Sequence, residues 1–347
     1  MNQIAGLRTH GNYSRLYPQK SIQLIARTDY SGTEYFEAEW FEEIKSHSVL
    51  FTTSPNKVYY LKFADGLGFD HQQVRKSCPV FLNGEYWYDA FIMEKYDEMF
   101  FEEHYGVSAE NIIMIKDEEI EIGEQYQSVF DELMHYVSSE EVSVKEKLEW
   151  IYSNIDVQSF IDWLCFNLYL CNDDVHFMQN SLYWRTLEDD GSEYGDGKWR
   201  WLLYDIDHAV TVKGAESETF SDLLLLRFNY LYKVLKEDEA FREQFAKSFM
   251  DIANTAFKPE NAEKILSEHG LDLTHGNEFF LKRFDYAAKS LEEELELHVK
   301  TENYTVTTAM LNYLYNTNYQ NLVSNAGSYL EALGLDTKKP LDEQKYA

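Results

Sequence analysis

The order of local patterns along the chain constrains its fold more than any other feature, because strand patterns come first and helical patterns come later. Residues 21–27 are apolar and β-branched and residues 58–63 are aromatic, which is typical of strands. Segments 79–82 and 86–93 flank an Asn83-Gly84 pair, which predicts a β-hairpin. Strands followed by helices indicate an α+β fold rather than alternating strand–helix–strand units.

Helical patterns dominate residues 101–300. Apolar residues recur at helical spacing between 157 and 168, so a helix is expected to lead up to Asn172. Further helices are expected at 126–137, 143–152, 223–235, 240–257, 259–268 and 279–299, whereas 116–124 resembles an exposed acidic segment. We therefore expect a strand-rich lobe at 1–100, a mainly helical lobe at 101–300 with a hairpin insert at 181–204, and an unassigned tail at 301–347.

The composition restricts the size of the fold and the classes of partner that the chain can bind. The 347 residues are 44% apolar and can bury a large core in one domain or two lobes. A net charge of −30, from 61 acidic and 31 basic residues, argues against binding to nucleic acid or anionic membranes. It would attract cations and basic polypeptides, and the alternative is an acidic surface that only keeps a large protein soluble. No apolar stretch is long enough for a membrane span. The three cysteines form no CxxC pair, and Cys165 and Cys171 are expected to be buried apolar residues.

An acidic constellation surrounds the expected hairpin insert. Asp174 and Asn180 precede its first strand, and Asp205 and Asp207 follow its second. Because the start of one antiparallel strand lies beside the end of its partner, Asn180 and Asp205 should be neighbours. Carboxylate and carboxamide oxygens are ligands for a hard cation such as Mg²⁺. The alternative is a solvated acidic turn or a calcium-like structural site, since Asp and Asn are ordinary loop residues.

The same residues stand in the order of catalytic parts found in protein kinases: a proton-accepting Asp, a metal-binding Asn and a later metal-binding Asp. On this interpretation Asp174 is the catalytic residue that orients or deprotonates the acceptor hydroxyl. Asn180 and Asp205 bind the metal, and Asp207 is a weaker ligand candidate. His176 is expected to support the loop rather than to act as an acid or base.

Basic residues near the N-terminus are candidates for nucleotide binding. Arg8 and Arg15 flank a polar turn, and Lys20 stands at the start of the next strand, an arrangement suited to triphosphate. The stretch has neither a Walker sequence nor GxGxxG, so an ordinary polar turn is the alternative. Glu94 ends an apolar strand and is the fourth candidate for the nucleotide site. It is expected either to pair with Lys20 or Arg15, which would fix the orientation of a phosphate-binding lysine, or to cap the lobe boundary.

Several ordered motifs together resemble the CotH-type atypical protein kinases, known from the spore coat. They lie at 6–11, 18–21, 80–87, 93–96, 160–163, 184–185, 196–201, 204–207 and 241–259, together with Asp174 and Asn180. The resemblance implies a divergent, two-lobed protein-kinase-like fold, with ATP, Mg²⁺ or Mn²⁺, and phosphorylation of Ser or Thr in a protein substrate. It also implies that Asp174 is catalytic, Asp205 binds metal and Lys20 lies in the phosphate-binding segment. Tyr88 departs from the family pattern, which has Gly there.

Other functions fit the same residues. A kinase-like cradle that binds ATP in a reversed pose could transfer AMP or an acyl group, and a vestigial site would leave a non-catalytic ATP-binding surface or adhesion module. The first motif starts at Gly6 and no signal peptide precedes it, which favours a domain excised from a cell-surface or spore-associated protein. The acceptor, the compartment and the oligomeric state stay open.

Overall fold

The computed structural model describes residues 2–11, 13–16, 18–65, 67, 71–172, 174–175, 180–210, 229–268, 279–280 and 282–283. Within these residues, two antiparallel sheets occur together with helices that follow or connect them. The α+β class is therefore confirmed.

The first sheet is built from the N-terminal part of the chain. Its strands, in the spatial order β1-β2-β3-β5-β4, are β1 (Gly6–Thr9), β2 (Ile22–Ile25), β3 (Ser48–Thr52), β4 (Val74–Leu82) and β5 (Glu85–Glu94). Asn83 and Gly84 connect β4 to β5 with φ of 53° and 85°, the left-handed pair that a two-residue hairpin turn requires. The hairpin predicted from these two residues is confirmed.

One predicted strand is wrong. Residues 58–63 fall mainly in α2 (Pro55–Leu61), which follows the short helix α1 (Thr28–Ser31) and β3. Proline is favoured in the first helical turn, since its missing N–H has no partner to lose there. Val58 and Leu61, three residues apart, are both buried, so the aromatic stretch presents a helical face to the core. The Ser54-Pro55 pair is the sequence signal for the start of this helix.

The second sheet was only partly expected. It consists of β6 (Ile112–Lys116), β7 (Glu119–Ile122), β8 (Leu182–Thr186) and β9 (Arg200–Leu202), in the spatial order β7-β6-β8-β9. Helix α3 (Glu98–Tyr105) leads from the first sheet towards it. Strands β8 and β9 form the predicted insert, but the expected exposed segment 116–124 is instead largely a hairpin, whose β6 pairs with β8 along five residues.

Most of the predicted helices are present. They are α4 (Gln127–Ser138), α5 (Val144–Asn154), α6 (Val157–Tyr169), α7 (Asn229–Leu235), α8 (Glu239–Asn254) and α9 (Pro259–Glu268). Ser143 and Glu146 form a capping box that starts α5, and the side chain of Asp156 caps α6. Of the helix predicted at 279–299, only 279–280 and 282–283 are described, and the tail 301–347 lies outside the described residues.

Helix α6 lies at the centre of the larger core, where it packs against α8 and β9. Ten of its thirteen residues are buried, so it provides a rigid base for the loop that follows it. Cys165 and Cys171 are buried and unbridged, as predicted. Tyr88, the departure from the family pattern, is 2% exposed and donates a 2.6 Å hydrogen bond to the Lys20 carbonyl oxygen. No helix among the described residues is long and apolar enough to cross a membrane.

Candidate active site

The two ends of the β8–β9 hairpin bring the predicted metal ligands to one place. Leu182 pairs with Leu202, so the chain before β8 and the chain after β9 lie at the same end of the sheet, as the hairpin predicted. Asn180 and Asp205 have φ of 57° and 51°, in the left-handed region that few residues other than Gly, Asn and Asp tolerate. These polar residues therefore occupy backbone positions that restrict the choice of side chain.

Asp174 and Asn180 contact each other directly. The Asn180 Nδ2 donates to Asp174 Oδ2 at 2.9 Å and to the Asp174 carbonyl oxygen at 3.0 Å. The buried Asn172 side chain connects this loop to α6. Its Nδ2 donates to Asn167 Oδ1 on α6 at 3.0 Å, and its Oδ1 accepts from the Asp174 amide at 3.3 Å. The end of α6 therefore fixes the position of Asp174. His176 lies outside the described residues.

Asp205 pairs with a lysine that sequence reasoning did not identify. The Lys57 Nζ, on α2, lies 3.1 Å from Asp205 Oδ1. The Lys57 side chain is 9% exposed and that of Asp205 is 32% exposed. Burial opposes the charge on both groups, but the pair outweighs it: the pKa of Lys57 is raised, and the pKa of Asp205 is lowered. Asp205 is thus held ionised and open to solvent.

His10 and Lys116 act on Asp205, and Lys95 acts on His10. We call His10, Lys57, Lys95 and Lys116 the inner basic group. Burial and then the charges of the three lysines lower the pKa of His10 to about 3. Burial also lowers the pKa of Lys95 to about 8, and Lys116 and Arg8 contribute in the same direction. The members come from four separate elements, since His10 follows β1, Lys57 is on α2, Lys95 follows β5 and Lys116 ends β6.

Tyr204 lies close to two of these lysines. The Lys57 Nζ lies 5.0 Å from its ring centroid and the Lys116 Nζ lies 5.1 Å from it. Burial lowers the pKa of Lys116, but Tyr204, Asp117 and Glu121 outweigh burial and raise it. Because Tyr204 directly precedes Asp205, the residue before the candidate ligand also holds two cations beside it.

Asp207 lies at the edge of the same region. The Ser54 hydroxyl, immediately before α2, donates to Asp207 Oδ2 at 3.2 Å. Burial, and then the charge of Asp205, raises the pKa of Asp207 above its ordinary value. The two carboxylates therefore differ, since Asp205 is stabilised as an anion and Asp207 is not.

The outer basic group, defined as Arg8, Arg15 and Lys20, is placed differently. The Lys20 Nζ donates to the Arg15 carbonyl oxygen at 2.5 Å, and Arg15 is exposed. The Arg8 Nε donates to Gln23 Oε1 at 2.7 Å, and its charge also acts on Lys95. Of the predicted nucleotide ligands, Arg8 is thus the one that adjoins the inner basic group, and the nucleotide-binding role of all three stays a prediction.

Glu94 makes a different pair from the one considered. Its Oε1 lies 2.9 Å from His104 Nε2, and its Oε2 accepts from the Gln73 amide at 2.7 Å. His104 is on α3 and stacks on Phe100 at 4.0 Å between ring centroids. The expected pairing with Lys20 or Arg15 is wrong, because α3 folds back onto the end of β5 and satisfies the buried carboxylate there.

A sequence comparison identifies the family of this chain. The model of the family described as CotH kinase protein matches residues 7–269, more than half of the 347 residues. The chain belongs to the CotH kinase protein family. No curated protein matches the chain significantly.

The donor set of this CotH kinase protein fits a hard divalent cation. Asn180, Asp205 and Asp207 offer a carboxamide and two carboxylates, and Asp205 is ionised and partly exposed. Among the described residues, no group of three or more His, Cys, Asp or Glu side chains could hold a metal ion by itself. Mg²⁺ commonly takes only one or two protein carboxylates and completes its shell with water and phosphate oxygens. The residues therefore suit a metal that arrives with a nucleotide.

Sequence reasoning missed most of the cations at this CotH site. Lys57, Lys95 and Lys116 lie in segments whose local patterns show only a lysine next to apolar residues. One signal was available for Lys95, which follows the apolar strand β5 and belongs to the matched motif at 93–96. No local signal identified Lys57, because the residues directly after it were predicted to form a strand rather than to continue helix α2.

Proposed function

We propose that this CotH kinase protein has a two-lobed, kinase-like architecture and transfers the terminal phosphate of ATP to Ser or Thr hydroxyls of proteins, with Mg²⁺ or Mn²⁺. Family membership supports kinase-like chemistry. The order of parts supports the architecture, since a sheet-rich first part precedes the helix, loop and hairpin that carry Asp174, Asn180 and Asp205.

The inner basic group is the observation that carries this proposal. In a protein of net charge −30, burial and the charges of three lysines lower the pKa of His10 to about 3, so the lysines repel its protonated form. Burial without enough anionic partners lowers the pKa of Lys95 to about 8. A polyanion such as a triphosphate would relieve this repulsion, because charge-assisted hydrogen bonds to phosphate oxygens stabilise the ammonium form.

Each side chain then has a role. The inner lysines bind the phosphates and compensate their charge, while Asn180 and Asp205 hold the metal and Asp207 is a weaker ligand. The metal, when bound, would stabilise negative charge on the phosphate oxygens. Asp174 takes the proton of the acceptor hydroxyl, whose oxygen forms a bond to the γ-phosphorus as the bond to the β–γ bridging oxygen breaks and ADP leaves.

The acceptor is proposed to be a basic protein segment. The net charge of −30 attracts such segments and raises their local concentration near the surface. Compartment remains a further proposal of the same kind: a cell-surface or spore-associated location is consistent with the family.

The deciding experiment replaces the proposed base. Wild-type protein, Asp174→Asn and the control Asp189→Asn are incubated with γ-labelled ATP, Mg²⁺ or Mn²⁺ and a basic acceptor protein. The carboxamide introduced by Asp174→Asn can still accept a hydrogen bond from Asn180, whereas Asp189 lies exposed in the loop between β8 and β9. We expect Asp174→Asn to lose about 10²- to 10⁴-fold of the transfer rate, the range for a general base, and Asp189→Asn to keep it.

Other outcomes would overturn parts of this proposal. Equal label transfer by Asp174→Asn would remove this residue from the chemistry. Release of AMP with adenylylated acceptor, seen by mass spectrometry, would replace the kinase by an AMP transferase. Bound ATP without any turnover would identify a non-catalytic nucleotide-binding module.

A further inference from the structure

The turn between β6 and β7 has an unfavourable backbone. Its two loop residues, Asp117 and Glu118, have φ of 52° and 75°. Two successive residues with positive φ normally require Asn-Gly or a similar pair, as Asn83-Gly84 shows in the β4–β5 hairpin. A Glu in the second position costs free energy that other contacts must offset. The turn is therefore held by its surroundings.

Those contacts lie at the start of β8. The Asp117 amide donates to the Ser181 carbonyl oxygen at 3.0 Å, and the Ser181 amide donates to Asp117 Oδ1 at 3.1 Å. Burial raises the pKa of Asp117, and the amides of Ser181 and Asn180 act against this shift. The last regular pair between these strands is Lys116 with Leu182, so Asp117 extends the pairing by one residue, to Ser181, which directly follows Asn180.

Asn180 transmits this constraint to the site. The residue is 6% exposed and its φ is 57°, so its carboxamide is placed by an unusual backbone conformation and directed at Asp174. Since the side chain follows from that backbone, the residue that fixes Ser181, directly after Asn180, also constrains where the carboxamide lies. Removal of the Asp117 carboxylate would release the Ser181 amide and loosen this end of β8.

We infer that Asp117 is a positioning residue, which holds Asn180 in the left-handed conformation required for its carboxamide to serve both Asp174 and the metal. The inference rests on the proposed function in one respect, that Asn180 is a metal ligand. It extends the site to a strand turn that lies far before Asp174 in the sequence, in a segment whose pattern indicated no function.

The same turn reaches the second candidate ligand. Lys116, the neighbour of Asp117, has its Nζ 5.1 Å from the ring centroid of Tyr204, and its charge acts on Asp205. Its Nζ is 3.9 Å from Asp117 Oδ2, so the turn carries a cation towards Asp205 and an anion towards Asn180. One rigid hairpin therefore positions both sides of the proposed metal site.

The test compares Asp117→Gly, Asp117→Asn and the control Glu119→Ala with the wild type. Glycine removes the carboxylate without strain at positive φ, and Asn keeps a hydrogen-bond acceptor and tolerates the same backbone. Glu119 is an exposed carboxylate on the same hairpin. Two quantities are measured: hydrogen exchange of the Asn180 and Ser181 amides in the free protein, and Mn²⁺ affinity with a non-transferable ATP analogue.

We expect Asp117→Gly to exchange both amides faster and to bind Mn²⁺ at least about 10-fold more weakly, the effect typical of residues that orient metal ligands. Asp117→Asn should recover part of both losses, and Glu119→Ala should match the wild type. Faster exchange with unchanged Mn²⁺ affinity would show a purely structural role and overturn the inference. If the wild type binds no Mn²⁺ with the analogue, the proposed function fails and the inference with it; metal binding without transfer would leave the inference standing.

Discussion

The two basic groups of this protein differ in how much free energy their arrangement costs. The outer group lies along β1 and the following turn, where Arg15 is exposed and Lys20 is bonded to a backbone oxygen. The inner group is more enclosed: burial and nearby cations lower the pKa of His10 to about 3 and that of Lys95 to about 8, whereas their partners raise the pKa values of Lys57 and Lys116. Exposed cations are stable anywhere on a surface, whereas like charges held together and away from water require a compensating partner.

The comparison teaches which basic residues to test first. Sequence position favoured the outer group, because it stands in the N-terminal motif and beside hydroxyl-bearing residues. Tertiary structure favours the inner group, since it surrounds the ionised carboxylate that is proposed to hold metal. The three predictions below measure how far catalysis and nucleotide binding depend on the inner site and on each group.

The largest effect is expected at the centre of the inner group. Asp205→Asn removes the anion and a metal ligand while it keeps the shape of the side chain, so phosphate transfer should fall about 10³-fold. Lys57 then stays buried without its partner at 3.1 Å, which should lower the melting temperature without loss of the fold. Label transfer and thermal unfolding of the same preparations measure the two effects.

Asp207→Asn is the matched control for this change. Asp207 lies two residues away and its pKa is raised rather than lowered, so its removal should cost transfer only about tenfold. If Asp205→Asn fails to fold, Asp205 is structural and the inner group loses its anchor. Equal losses in the two variants would show that the two carboxylates share the metal.

A smaller effect with a defined pH dependence is expected at Lys95. Its pKa of about 8 means that the ammonium form predominates at pH 7 and is lost as the pH rises through 8. Phosphate binds the charged form, so the KM for ATP should rise about tenfold between pH 7 and pH 9.5. Initial rates measured as a function of ATP concentration across this range test the prediction.

The variant Lys95→Arg tests whether Lys95 is the group whose titration changes the KM for ATP. Arginine stays charged throughout the range, so the KM of this variant should be nearly constant with pH. Lys95→Met should also show no pH dependence, but with a KM that is already high at pH 7. If Lys95→Arg retains the wild-type pH dependence, another group titrates and Lys95 does not bind the phosphates.

Local signals explain which parts of the fold could be predicted. The Asn83-Gly84 turn and helix α9, whose bounds 259–268 match the prediction, are specified by neighbouring residues. The second sheet could not be predicted in full, since β6 pairs with β8, about seventy residues later in the chain. The strand predicted at residues 58–63 was wrong for another reason. An apolar aromatic stretch is compatible with both a strand and a helix until Pro55 is considered.

The same division applies to the site. The contact between Asp174 and Asn180, and the placement of Asp205 at the same end of the hairpin, followed from short-range pairing. The inner lysines come from α2, β5 and β6, and only the tertiary fold brings them together. A lysine next to an apolar stretch is common in any sequence, which is why no spacing rule could identify them.

The smallest effects are expected in the outer group. Lys20→Ala and Arg15→Ala should change the KM for ATP by less than about twofold, because exposed charges interact weakly through water. Arg8→Ala should fall between the two groups, at about three- to fivefold, since the Arg8 charge acts on Lys95. ATP titrations of the three variants at pH 7, beside Lys95→Met, rank them directly. A tenfold rise for Lys20→Ala would reverse the ranking, because the turn after β1 would then have to close over the phosphates, as the sequence motif first predicted.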